Sequence, residues 1–264
     1  TICVLVFHCH DYLDNLFRIS QLVKSLNFNE NEVASLQKDR LIMNNPWKNL
    51  PQAAPFLLSE DAADVTAFNA RCKAEKMVHT ELPPEPYAGR RDAPVVLLMR
   101  RPSYHPDDAK YMLKNAEFAA IMQRVRAFEE LEHPFYHLNE KYPENPGFHY
   151  WNKLLKKPIL DLDLRACSQG FLVLQLFPYK TNAPVEDVLP SFSFTKEILQ
   201  EAIRRNAIII QMTAAREWQQ NVPELKGYKY FTCNNSRNPT ISPGNIGVEE
   251  YEQVLAAIRN NIPA

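Results

Sequence analysis

The stretch that decides the fold is PVVLLMRRPSYHPDDA, Pro94 to Ala109. Its opening is an unbroken apolar run of strand length. It stops at two adjacent arginines, Arg100 and Arg101, with a Pro-Ser-Tyr-His turn and a helix start directly behind. A strand without polar alternation is buried on both faces, the pattern of a parallel sheet covered by helices. Three further β-rich runs follow: GFLVLQLF (170–177), AIIIQM (207–212) and YKYFTC (228–233). Helical patterns lie between the first three, DDAKYMLKNAEFAAIMQRVRAFEEL and SFTKEILQEAIRRN, and VEEYEQVLAAIRNN closes the chain. The expected fold is α/β, three-layered α/β/α around a central, mainly parallel four-stranded sheet.

With 264 residues, 45% of them hydrophobic, the chain can bury one substantial core. A formal net charge of -1 excludes a strongly basic nucleic-acid coat and leaves room for a local basic cleft. The five cysteines are odd in number and form no Cys-x-x-Cys pair, which argues against a disulfide framework or zinc ribbon and for a reducing cytoplasm. The apolar start TICVLVF is far shorter than the roughly 18–20 residues of a membrane span and lacks a signal peptide's basic flank, so no membrane association is expected. Six glycines and no Gly-rich phosphate loop argue against a Rossmann dinucleotide site. His133, His137 and His149 share no regular spacing, which argues against zinc. Neither metal nor cofactor is expected, and the chain is expected to be a monomer.

Residues 1–42 carry helical spacing and no chemistry. The chain starts at Thr1, and Met43 opens the start-like MNNPWKNLPQAAPFLL, so the expected division is an accessory helical extension or misassigned start over 1–42 and one domain over 43–264. From Met43 to Pro94 the chain is rich in proline and polar turns, with one expected helix in AADVTAFNARCKAE and a loop, TELPPEPYAGRRDAP, leading into the first strand.

In such sheets ligands bind beyond the carboxyl ends of the strands, where crossover directions reverse. The stretches there are RRPSYHPDDA, PYKTNAPVED, TAAREW and NNSRNPTISPGNIG. They supply cations (Arg100, Arg101, Lys180, Arg216, Arg237), carboxamides, hydroxyls (Ser103, Ser236, Ser242) and the rings of Tyr104 and Tyr179. Cations and hydroxyls suit phosphate oxygens, and rings and carboxamides suit the faces and edges of a base.

The strand, proline-bearing turn and Y-H-P-x-x-A helix start resemble the first motif of the uracil-DNA glycosylase superfamily. CNNSRNPTISPGN after the last strand is similar to its second motif, with Asn234 at the His/Asn place and Ser236 at the Ser. The resemblance also takes in the strand order, the aromatic segment PFYHLNEKYPENPGFHYWNKLL and the helix ending in AAREW, and covers about Met43 to Ala264. It implies a protein that flips a base out of single- or double-stranded DNA, because the reacting atoms are unreachable inside the stack, and hydrolyses its bond to deoxyribose. By that resemblance Ser103, Tyr104 and His105 form the water and sugar side, with Arg101 as the uncertain member. Asn234 serves the leaving base, and Ser236, Arg237, Ser242, Asn245, Arg100 and Lys180 grip the backbone. The stacking ring would be Phe135, Tyr136 or Phe148, and the base edge would be read by Gln175 or Asn182.

The departure lies where the chemistry would be: Arg101 stands at the place of a water-positioning residue and Met99 at a glycine. Cleavage builds positive charge on the sugar, and a second positive charge at about 4 Å costs roughly 4 kcal/mol at an effective dielectric of 20. That is on the order of a thousandfold in rate. The arginine would have to bind a phosphate or neutralise the departing base. The plainer alternative is that Arg100 and Arg101 pair with Asp107, Asp108 or another nearby acid at a helix start. For His105 the plain alternative is a hydrogen bond to the turn. Asp161 and Asp163 in DLDLRACS read as the solvated face of a strand, and Trp47, Trp151 and Trp218 as packing. The competing readings are a non-catalytic nucleic-acid- or protein-binding module of the same fold and an unrelated nucleotide hydrolase.

Overall fold

The computed structural model describes residues 45–261 apart from 186 and 236. The expected extension over 1–42, the boundary at Met43 and the side chain of Ser236 lie outside the described residues. The chain is α/β, with a mixed sheet of five strands: β1 (Tyr87–Gly89), β2 (Val95–Met99), β3 (Phe171–Gln175), β4 (Ile208–Gln211) and β5 (Phe231–Thr232). Their order is β1-β3-β2-β4-β5. The apolar run Val95–Met99 is the central strand, parallel to β3 on one side and to β4 on the other, with Leu97 opposite Val173 and Ile210.

The sheet has five strands, not the four expected. The addition, β1, pairs antiparallel with β3 inside the segment read as a loop. Three residues are too few to show alternation, so tertiary pairing creates this strand. Gly89 makes it possible: its φ is +121°, and a Cβ there would lie 2.2 Å from the Phe171 carbonyl oxygen. At the other edge the expected strand over 228–233 contracts to Phe231–Thr232.

Among the described residues the α-helices are α1 (Ala62–Ala70), α2 (Asp108–Met112), α3 (Ala116–Arg126), α4 (Pro146–Leu154), α5 (Lys156–Asp161), α6 (Leu164–Gly170), α7 (Phe192–Arg204), α8 (Ala215–Asn221), α9 (Pro243–Ile246) and α10 (Val248–Arg259). The long helical pattern after β2 divides into α2 and α3. Asn115 cuts it, because its side-chain oxygen accepts the Phe118 amide at 3.0 Å and caps a new helix start. Asp161 and Asp163 lie on helix ends rather than a strand face: Asp161 closes α5 and accepts the Tyr251 hydroxyl, and Asp163 caps α6 through the Ala166 amide.

Alternation along β2 sends Val95, Leu97 and Met99 into a core shared with Phe118 of α3, Trp151 of α4, Cys167 of α6 and Leu255 of α10. α7 packs against β3 and buries Ile198, Leu199 and Ala202. All three tryptophans are buried, as expected. The proline-rich segment before β1 wraps along the loop after β3: the His79 amide donates to Lys180 O and the Glu85 amide to Pro178 O. That path carries the Glu85 side chain beneath the carboxyl end of the sheet.

Candidate functional site

The two arginines part company. Neighbouring positions past a strand end point to opposite sides. Arg100 turns toward β4: its amide donates to Thr213 Oγ1 and its guanidinium pairs with Glu217 Oε1 at 2.8 Å. Trp218 Nε1 donates to the Met99 carbonyl in the same place. The Thr213, Glu217 and Trp218 contacts lie past the ends of β2 and β4, where crossover direction reverses, and Arg100 Nη1 also donates to the Val185 carbonyl in the loop after β3. The open cavity lies one strand over, past the ends of β2 and β3.

Arg101 faces that cavity, which has a volume of about 210 Å³. Its Nε donates to the Ala183 carbonyl at 2.7 Å and its Nη1 to Ser103 Oγ at 3.2 Å. Among the described residues no carboxylate pairs with Arg101, so the plainer ion-pair alternative fails for it, whereas Arg100 meets that alternative through Glu217 in the first turn of α8. Burial and then the neighbouring Arg100 charge push its guanidinium below its ordinary value, with Tyr150 opposing. The wall thus presents an unneutralised cation.

Of the residues expected at the site, Arg101, Ser103, Tyr104, His105, Gln175 and Lys180 line this cavity. Gln175 ends β3, and the strand register places it beside Met99 on the core-facing side. Its side chain is buried, and its Oε1 has no hydrogen-bond partner. A buried carboxamide oxygen without a partner costs about 1–3 kcal/mol. His105 Nδ1 accepts the Asp107 amide at 3.2 Å, the plain alternative weighed for it, which leaves its Nε2 edge unbonded.

The cavity floor is a cluster of buried charges. Lys180 Nζ lies 2.5 Å from Glu85 Oε1 and 3.3 Å from Asp108 Oδ2. Glu85 Oε2 in turn meets His137 Nε2 at 2.6 Å and accepts the Tyr136 hydroxyl at 2.8 Å. Burial alone would raise the Glu85 carboxyl, but Lys180 and His137 together hold it well below the usual carboxylate range. Burial would likewise lower the Lys180 ammonium, and Glu85 with Asp108 holds it above its ordinary value. Burial, then Glu85, pushes the Tyr136 hydroxyl well above the usual phenol range.

Several expected members stand elsewhere. Phe135 is a core ring against Trp151, and Tyr136 is tied to Glu85 behind the floor. Phe148 is half-buried and off the cavity wall. Asn182 clamps the turn, its side chain bonded to both Tyr104 N and Tyr104 O. Lys180 is enclosed by acids and is not free to meet a phosphate. Asn245 is a buried clip for the second motif, accepting the Asn235 amide at 2.7 Å and donating to the Thr240 carbonyl at 2.8 Å. Asn234 and Arg237 are exposed beside it, Ser242 is half-buried, and none of the three lines the cavity.

Sequence reasoning missed Glu85, Asp108, Gly147 and Tyr150 as lining residues, read Trp151 only as packing though it also lines the cavity, and weighed His137 only as a zinc ligand. One signal was available. Asn145-Pro146-Gly147 is a helix-start signature, with Asn145 capping the Gly147 amide, and it sets Tyr150 one turn into α4 at the cavity mouth. Tyr150 lines the cavity and is 45% exposed. No family model, curated protein or solved structure matches this chain.

Proposed function

We propose that the chain is a DNA glycosylase-like protein whose cavity past β2 and β3 receives one flipped base and releases it by hydrolysis. The observation that carries the reading is Gln175: a buried, unpartnered carboxamide lining a small cavity beside an unneutralised arginine. A carboxamide offers one acceptor and paired donors, the complement of a base edge. The cavity, at about 210 Å³, falls short of the roughly 300–1,000 Å³ of pockets for drug-sized ligands and suits a single ring system. In this proposal the parallel strands β3-β2-β4-β5 are the glycosylase-like core and β1 is an addition to it.

The roles follow from chemistry. Gln175 reads the base edge and Tyr150 stacks on its face, in place of the three rings the sequence suggested. Arg101 neutralises the base as it leaves with the bonding electrons. An opposite charge at about 4 Å contributes roughly 4 kcal/mol at an effective dielectric of 20, so the arginine that opposes charge on the sugar favours charge on the base. Ser103 and His105 hold the water that captures the sugar cation, and the proton this water gives up passes to the departed base anion, so the products are the neutral base and the hydroxylated sugar. The DNA backbone runs over the exposed second motif, with Arg237 and Ser242 as its contacts.

One observation favours a second reading, a base-binding module without cleavage. Among the described residues the two carboxylates lining the cavity, Glu85 and Asp108, are committed to Lys180, which leaves no free acid on its wall to activate water. Incubation with oligonucleotides carrying uracil, hypoxanthine or bulky pyrimidines, followed by mass spectrometry for free base, separates the two. Free base from any of them supports excision. Salt-sensitive binding without release supports the module, and neither binding nor release refutes both.

A further inference from the structure

We propose that Lys180 is a positioning residue that holds the Pro102–His105 turn in the shape that presents its side chains to the cavity. The proposal rests on the base-binding reading of that cavity. Consecutive residues after β3 grip consecutive points of the turn. Lys180 Nζ contacts the Ser103 carbonyl at 3.3 Å, the Thr181 amide donates to the Pro102 carbonyl at 3.4 Å, and the Asn182 side chain brackets Tyr104. Lys180 also reaches the turn indirectly. It lies 3.3 Å from Asp108 Oδ2, and the same oxygen accepts the His105 amide at 2.8 Å.

A side chain that merely filled space would be replaceable by any apolar chain of similar length. Lys180 instead balances charge: Glu85 and Asp108 face its ammonium, His137 and Tyr136 face Glu85, and half-buried Arg126 lies beyond them. In Lys180→Met the turn loses its tether and two buried carboxylates lose their cation. Burial then acts unopposed by that ammonium on the Glu85 carboxyl, which takes up a proton at higher pH than in the wild type.

The test compares wild type and Lys180→Met for binding of a fluorescein-labelled single strand with one central uracil, from about pH 8 to about pH 5. The variant is expected to bind about tenfold or more weakly at the high end, with the deficit shrinking as pH falls. Hydrogen exchange of the 103–108 amides, which needs no ligand, is expected to quicken about tenfold in the variant. Should Lys180→Met not fold, the Asp108 pair decides. Asp108→Asn keeps an acceptor for the His105 amide and is expected to stay within about threefold of wild type, while Asp108→Ala loses about tenfold. A pH-independent deficit with unchanged exchange, or equal behaviour of the two Asp108 variants, overturns the proposal. Failure of wild type to prefer the uracil strand over the same strand without it counts against the base-binding reading alone, and the exchange result still judges Lys180.

Discussion

Replacing Gln175 by leucine separates a structural role from a reading one, because the two move in opposite directions. The side chain is 7% exposed, its Oε1 is unpartnered, and its backbone amide keeps its bond to the Pro86 carbonyl whatever the side chain. Leucine has similar volume and no polar atom, so the substitution removes a desolvation cost of about 1–3 kcal/mol and adds no cavity. At roughly 2–4 °C per kcal/mol for a domain of this size, the melting temperature should rise by several degrees. Binding or excision of the flipped base should fall by about ten- to a hundredfold, since a base edge would then meet hydrocarbon. Differential scanning fluorimetry and the base-release assay read the two effects on one preparation. A melting temperature that falls would mean the carboxamide is satisfied within the fold, and unchanged excision would mean that it reads nothing. Either result defeats the assignment.

Arg101→Gln should slow release of base by about a thousandfold, the loss of roughly 4 kcal/mol of attraction to the leaving anion, with little change in melting temperature. Faster release would instead show the arginine obstructing the chemistry. In Gly147→Ala the new Cβ would lie 2.1 Å from His137 Nδ1. The ring must then leave Glu85, at a cost of about 1.5–3 kcal/mol for a hydrogen bond to a charged group, measurable by urea denaturation. Because the Glu85 carboxyl is held below its ordinary value, its stabilising share is complete above about pH 5 and is lost as pH falls toward the depressed folded value. The stability gap between wild type and Glu85→Gln should therefore be constant from about pH 5 to 8 and close below about pH 4. A gap that widens in acid would reverse the sign and refute the assignment.

The central strand, its parallel neighbours and the starts of α1, α2, α7 and α10 were legible because each rests on local signals: apolar runs, polar helix starts and period. β1 was not, since YAG carries no pattern of its own and becomes a strand only when Gly89 can approach Phe171. The turn after β2 was legible as a site. Residues assigned to it by type rather than position fared unevenly. Phe135 and Tyr136 are aromatic and near in sequence, yet their rings are consumed by the core and by Glu85. Tyr150, which sits at the cavity mouth, was passed over because one turn of helix separates it from the signature that places it.

By itself the sequence determined that this is an α/β chain whose polar residues gather at the carboxyl ends of its strands, because strand burial and helix period are written locally. It also raised the question of two arginines at the end of a core strand. Only the tertiary structure divided them, Arg100 to Glu217 and Arg101 to the cavity, because the partner of a charge depends on which distant elements the sheet brings within about 4 Å. The same holds for Lys180. A lysine just past a strand reads as a phosphate contact until Glu85, far earlier in the chain, is folded against it.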